Sequence, residues 1–208
     1  MSAIRLLRAD PSRPFLRDCE GVAALEFALI LPILLMFLAA TAEFVSAVDQ
    51  KRKVAQLGRT LADLTAQGDT QNPVSSTLMS DIVASSGPIL APFPSTAATI
   101  QISAVGVYQA NNPSTAYVCS VYPTTGKRSV GSATDIAVPK NFQRIGARFV
   151  LVEVTMPFKP ILGAMTPKIV RGLNLNFTWA EKVTWPVRSG STYLGDSEIV
   201  LPNGRQCP

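Results

Sequence analysis

Histidine is absent from this 208-residue chain. That absence excludes Ser-His-Asp and Cys-His nucleophilic catalysis and every zinc motif that needs an imidazole, leaving only carboxylate, lysine or serine chemistry. Glycine-rich phosphate loops, paired metal-ligand clusters and nucleophile elbows are also missing from the sequence, and serine and threonine fall mainly in linkers. No catalytic residue, metal ligand or cofactor is therefore expected. Charged residues make up only 16% of the chain, and the excess of base, +5 overall, is scattered. With no nucleic-acid motif to organise it, that charge reads as attraction to anionic lipid plus a solvated surface, and no nucleic-acid partner is expected.

What the chain does have is one long apolar run, from Val22 to about Val48. Roughly 20 residues cross a hydrocarbon core of about 30 Å, so the run is long enough to span a bilayer. Before it, residues 1–21 carry Arg5, Arg8, Arg13 and Arg17 between Pro11 and Pro14 and read as a basic leader outside any fold. Inside the run sits Glu26. A carboxylate at bilayer depth costs at least ~2.5–3.5 kcal/mol on insertion scales, which makes it a functional residue by default, the plainer reading being a Glu solvated by headgroups at the interface.

The spacing around Glu26 resembles a type IV prepilin processing site. A basic leader ends in Gly21, and a cut there makes Val22 the new N-terminus and Glu26 the fifth mature residue. An N-terminal ammonium and a carboxylate one turn inside a neighbouring helix neutralise each other only when two subunits dock in register. The longer pattern Gly21-x-Ala23-Ala24-x-Glu26-Phe27-Ala28-Leu29-Ile30-Leu31-Pro32 is similar to the N-terminal signature of TadE/TadG-like proteins, membrane components of the tight-adherence (Tad, or Flp) pilus machinery. Flp-type major pilins have Tyr after the Glu where this chain has Phe27, and are far shorter, so the resemblance implies a minor pseudopilin. It implies processing by a prepilin peptidase at Gly21–Val22, register set by Glu26 and Phe27, and association with other Tad pilins or pseudopilins and the assembly platform. It also implies residence in a bacterial inner membrane, single-pass, with the N-terminus cytoplasmic and residues 69–208 periplasmic. Charge alone does not set that topology, because Lys51, Arg52, Lys53 and Arg59 balance the leader arginines.

Two alternatives stay open. One is an uncleaved, membrane-anchored periplasmic scaffold or binding module. The other is a soluble secreted protein released after Ala42, since Ala40-Thr41-Ala42 follows a basic region and an apolar core. Glu26, Pro32 and the length of the run stand against the second. Cys19 precedes the apolar run and follows Arg17-Asp18, so it is no lipoprotein cysteine.

Helical periodicity continues past the membrane. Val54, Leu57, Leu61 and Leu64 form one apolar stripe over residues 49–68, which predicts packing against the chain's own domain, with Gly68 ending the helix. From Val22 to Gln67 such a helix measures about 68 Å, a pilin-like arrangement. After a polar linker at residues 69–73, Val74–Ser85 predicts a short helix with Leu78, Ile82 and Val83 inward. Gly87, Pro88, Pro92 and Pro94 are expected to break regular structure beyond it.

From Ala98 the apolar period becomes two. Ile100, Ile102 and Ala104 alternate with Gln101 and Ser103. Val150, Val152, Val154, Met156 and Phe158 alternate with Leu151, Glu153 and Thr155. In the stretch from Leu173 to Trp185, Leu173, Leu175, Phe177, Trp179, Val183 and Trp185 share a face that only Glu181 interrupts, which predicts a bulge or a strand leaving the core there. Strands without crossover-length helices imply an antiparallel sheet, of about four strands. The expected fold is α+β, a long N-terminal helix packed on that sheet. The Phe158–Gly163 and Trp185–Arg188 stretches bear a looser likeness to the end of TadE-like domains. Cys119 and Cys207 are disulfide candidates in an oxidising compartment, two free thiols being the alternative, and residues 189–208 are expected to be ordered only through that bond.

Overall fold

A computed structural model describes residues 20–68, 73–109, 115–126, 128–160, 176–188, 191–193 and 196–207. Residues 1–19 of the leader, Cys19 among them, the 69–72 part of the linker, Ile161–Gly163 and Leu173–Leu175 lie outside them. One continuous helix, α1 (Glu20–Gln67), opens the described chain, and the polypeptide divides within it into two compact units, Met1–Phe44 and Val45–Pro208.

In the first unit the side chains of α1 from Val22 to Leu38 are exposed apolar groups, among them Leu25, Phe27, Leu29 and Phe37. Pro32 lies inside the helix, where it removes one backbone donor without ending it.

The second unit begins with the remainder of α1. Its apolar stripe is buried: Leu57, Leu61, Ala62 and Ala66 are fully enclosed, Val54 nearly so, and Leu64 is half-buried against the same cluster. The stripe comes close to the sheet because residue 58 has no side chain. A Cβ there would stand 3.1 Å from the Val183 side chain. Gly68 ends the helix at φ 67°, a left-handed conformation that glycine adopts without steric cost, and its N–H is donated to Thr65 O.

Short helices α2 (Ser76–Ala84) and α3 (Ser86–Leu90) follow. Ser75 caps α2 by accepting the Leu78 N–H, and Met79 and Ile82 are its buried residues, with Leu78 and Val83 partly buried. The expected break at Gly87 and Pro88 does not occur there. Both fall in the first turn of α3, where the missing proline donor would have had no helical partner anyway, and irregular chain starts only at Ala91.

Five antiparallel strands form the main sheet, one more than expected, in the order β3-β2-β1-β4-β5. They are β1 (Thr99–Gln109), β2 (Thr115–Tyr122), β3 (Gly131–Ala133), β4 (Arg148–Phe158) and β5 (Phe177–Pro186). A separate hairpin, β6 (Ser191–Tyr193) with β7 (Asp196–Glu198), follows. The extra strand and the hairpin are three-residue elements, too short to show a period of two.

Central strands β1 and β4 are buried on both faces. Ile102, Ala104, Val150, Val152, Val154 and Met156 share a cluster with α1, α2 and α3. Val105, Val107, Phe149 and Leu151 face the other way, under Ile136, Val138, Ala147 and Phe142 from the segment between β3 and β4. Glu181 lies in neither a bulge nor a departing strand. The β4–β5 register is continuous from Phe177 to Pro186, and Glu181 stays on the helix-facing side, half-buried beside the space left by Gly58.

Because the helix stripe is shared with the sheet, its truncation should unfold the whole second unit. Leu61→Ala should cost about 2–5 kcal/mol in chemical denaturation, whereas Arg59→Ala on the exposed side should stay within about 0.5 kcal/mol.

Candidate functional site

The residues singled out by sequence fall in two places. Gly21, Val22, Glu26 and Phe27 lie in the first turns of α1, and the side chains of Val22, Glu26 and Phe27 are exposed. Glu26 is four positions after Val22, so they stand one turn apart, about 6 Å along the axis. The Gly21–Val22 bond is itself helical. From Val22 the helix is long and apolar enough to cross a membrane, and none of its most apolar stretch is buried within the protein. An acidic side chain on such a surface is available to a second chain.

Residues 21–63 match the family model described as TadE-like protein. No curated protein and no solved structure matches the chain. The TadE-like match takes in Gly21, Glu26 and the helix stripe as far as Leu61, so it spans both the apolar surface and the part of α1 that the sheet buries. It stops at Asp63, and the looser likeness between Arg148 and Arg188 is not part of it.

The second place is the far end of the sheet. Cys119 in β2 is bonded to Cys207, with Cα atoms 4.9 Å apart across 88 residues of sequence. Beside the bond, Glu198 is 1% exposed and accepts the Cys207 N–H at 2.5 Å, and the Tyr108 hydroxyl lies 3.7 Å from Cys119 Sγ. The Arg148 guanidinium, also buried, covers the Tyr108 ring at 5.4 Å. Cys119, Cys207 and Glu198 are close enough for a metal-ligand triad. With both sulfurs committed to each other only the carboxylate is left to donate, so the cluster is a covalent latch.

That latch is not what alone orders the C-terminal segment. Ile199, Val200 and Leu201 are buried, Val74 N–H donates to Val200 O at 2.9 Å, and Leu201 N–H donates to Ser120 Oγ at 3.0 Å. An apolar triplet between polar flanks was the available signal.

A polar cluster covers part of the sheet face opposite α1. Glu153 of β4 stands opposite Lys182 of β5, whose Nζ lies 3.0 Å from Glu153 Oε1. Arg128, from the β2–β3 connection, makes a bidentate contact with Glu153 and reaches Asp135 Oδ2 at 3.0 Å. Burial pushes the Glu153 carboxyl upward, but hydrogen bonds from Arg128 and Lys182 outweigh it and hold the group below its ordinary value. The Arg128 bond lowers Asp135 as well, and the Arg128 guanidinium is raised by Glu153. The network's effect is to fasten the β2–β3 connection to the sheet, and at Asp135 it borders a depression lined also by Thr115, Thr134, Ile136, Val138 and Gln143.

A carboxylate held below its ordinary value of 4.5 favours the folded state above that pH and loses its contribution as pH falls through the lowered value. Glu153→Gln should therefore be less stable than the parent at pH 7. The gap should close below about pH 4.5 in denaturation curves recorded across a pH series.

Proposed function

We propose that this chain is a minor pseudopilin or membrane component of Tad (Flp) pilus assembly. It inserts as a single span in the bacterial inner membrane and is processed by a prepilin peptidase between Gly21 and Val22. The observation that carries this reading is the TadE-like match over residues 21–63, which begins at Gly21 and coincides with an exposed apolar helix bearing Glu26. On this reading the protein acts by association: its span lies beside other pilin or platform helices, Glu26 meets a neighbour's N-terminal ammonium, and the 69–208 domain is periplasmic. An oxidising periplasm agrees with the Cys119–Cys207 bond. The chain is then a substrate of the peptidase and not itself a catalyst.

An uncleaved membrane scaffold is the second reading, and the helical conformation of Gly21 and Val22 favours it. Cleavage of a helical Gly21–Val22 bond needs local unwinding first.

The mature N-terminus separates the readings. Intact mass of material from native membranes should give a chain starting at Val22. Removing one partner of a buried ion pair costs about 3–5 kcal/mol, so Glu26→Ala should abolish co-purification with other pilin-type subunits while membrane insertion persists. A chain starting at Met1 or Ser2 would replace the pseudopilin reading by the scaffold, and a start at Glu43 would remove both.

A further inference from the structure

We propose that the Cys119–Cys207 latch has a second state: when the bond is reduced, the two thiolates and the Glu198 carboxylate hold a zinc ion. The site lies wholly within the second unit and does not depend on how the chain meets a membrane.

Separate stretches of chain deliver its ligands. Cys119 belongs to β2, Glu198 ends β7, and Cys207 follows nine residues later. Their donor atoms lie within 4.8 Å of one another, and all three residues are buried. The carboxylate points to a ligand. Glu198 Oε1 accepts the Cys207 N–H, but Oε2 is enclosed and meets no donor among the described residues. A buried carboxylate oxygen without a partner is costly, and a disulfide has no hydrogen to offer it. A cation held by the two sulfurs would supply what Oε2 lacks.

The donor set selects the ion. Magnesium and calcium call for shells of oxygen ligands, whereas two thiolates and a carboxylate suit tetrahedral zinc, with one position left for water. Zinc on those three groups leaves a single negative charge, and a buried cation stands beside it. Arg148 Nη1 and Cys207 Sγ lie 2.7 and 2.9 Å from the point a Cβ on Gly106 would occupy, so both use the space that this glycine leaves. The Tyr108 hydroxyl, 3.7 Å from Cys119 Sγ, can donate to a metal-bound thiolate, the kind of outer contact that orients a ligand.

The change of state balances with a dithiol as reductant. The dithiol closes to its own disulfide, its two electrons break the Cys119–Cys207 bond, and its two protons leave both cysteines as thiols; zinc then displaces those protons to solvent. Zinc would tie the C-terminal segment to β2 while the covalent bond is open, as in a chain that has not met an oxidising compartment.

The test uses the detergent-solubilised full chain carrying Cys19→Ser, reduced with dithiothreitol, desalted under argon and titrated with zinc. The reduced chain should bind one zinc more tightly than about 1 μM and release about two protons, and the oxidised chain should do neither. Zinc-edge X-ray absorption should show two sulfurs at about 2.3 Å and oxygen at about 2.0–2.2 Å. Glu198→Gln, which keeps an acceptor for the Cys207 N–H, should weaken binding by about tenfold or more. Equal binding by oxidised and reduced chains would overturn the proposal, as would a shell of four sulfurs or binding indifferent to Glu198→Gln. A reduced chain that takes up no zinc, folded or not, would overturn it too.

Discussion

Everything in the second unit depends on one contact, the apolar stripe of α1 lying on the helix-facing side of the sheet. Val54, Leu57, Leu61, Ala62 and Ala66 are enclosed there with Val150, Val152, Val154 and Met156 of β4. The same helix is exposed from Val22 to Leu38, and apolar there except for Glu26. A single element therefore serves two solvents, and what changes along it is the pattern. All-round hydrophobicity suits lipid, whereas a stripe at spacings of three and four suits a protein core with water behind it. A family match that runs from Gly21 to Asp63 covers both regimes, as expected if the membrane segment and the docking stripe work as one piece.

The remaining stabilising devices secure what this contact leaves loose. The sheet face away from α1 would be open but for the segment between β3 and β4, which folds Ile136, Val138 and Phe142 over Val105, Phe149 and Leu151. Arg128, Asp135, Glu153 and Lys182 fasten the polar side of that cover. The C-terminal segment is held three ways: by burial of Ile199–Leu201, by hydrogen bonds to the Val74 backbone N–H and the Ser120 hydroxyl, and by the Cys119–Cys207 bond. In the chain-entropy picture, a bond across 88 residues adds at most about 4–5 kcal/mol, largely by restricting the unfolded chain.

Elements with a long, regular period were legible from sequence. The α1 stripe, its end at Gly68, and the alternation of β1, β4 and β5 all follow from side-chain spacing that backbone geometry imposes. Features set by distant partners were not. Gln101 and Ser103 alternate with the apolar residues of β1, yet both are buried, and Gln101 is held by Tyr122 O and Pro123 O from the far end of β2. Glu181 looked like a fault in its strand because the space for it is made by Gly58 on another element. Three-residue strands carry no readable period, and the burial of Ile199–Leu201 depends on where the chain's end returns. At the candidate site, Gly21, Glu26 and the apolar run were visible because a long apolar run and a charge inside it are features of local sequence. The Glu198, Tyr108 and Arg148 surroundings of Cys119 and Cys207 were not, since those residues come from different strands.

The central claim is that residues 54–66 of α1 belong to the same cooperative unit as the sheet. Native-state hydrogen exchange on the detergent-solubilised full chain measures this directly. The amides of Val54–Ala66 should open together with those of β1 and β4, at the free energy of global unfolding. Exchange of the helix amides at much lower free energy, with the sheet still protected, would show that the helix merely leans on a domain that folds without it.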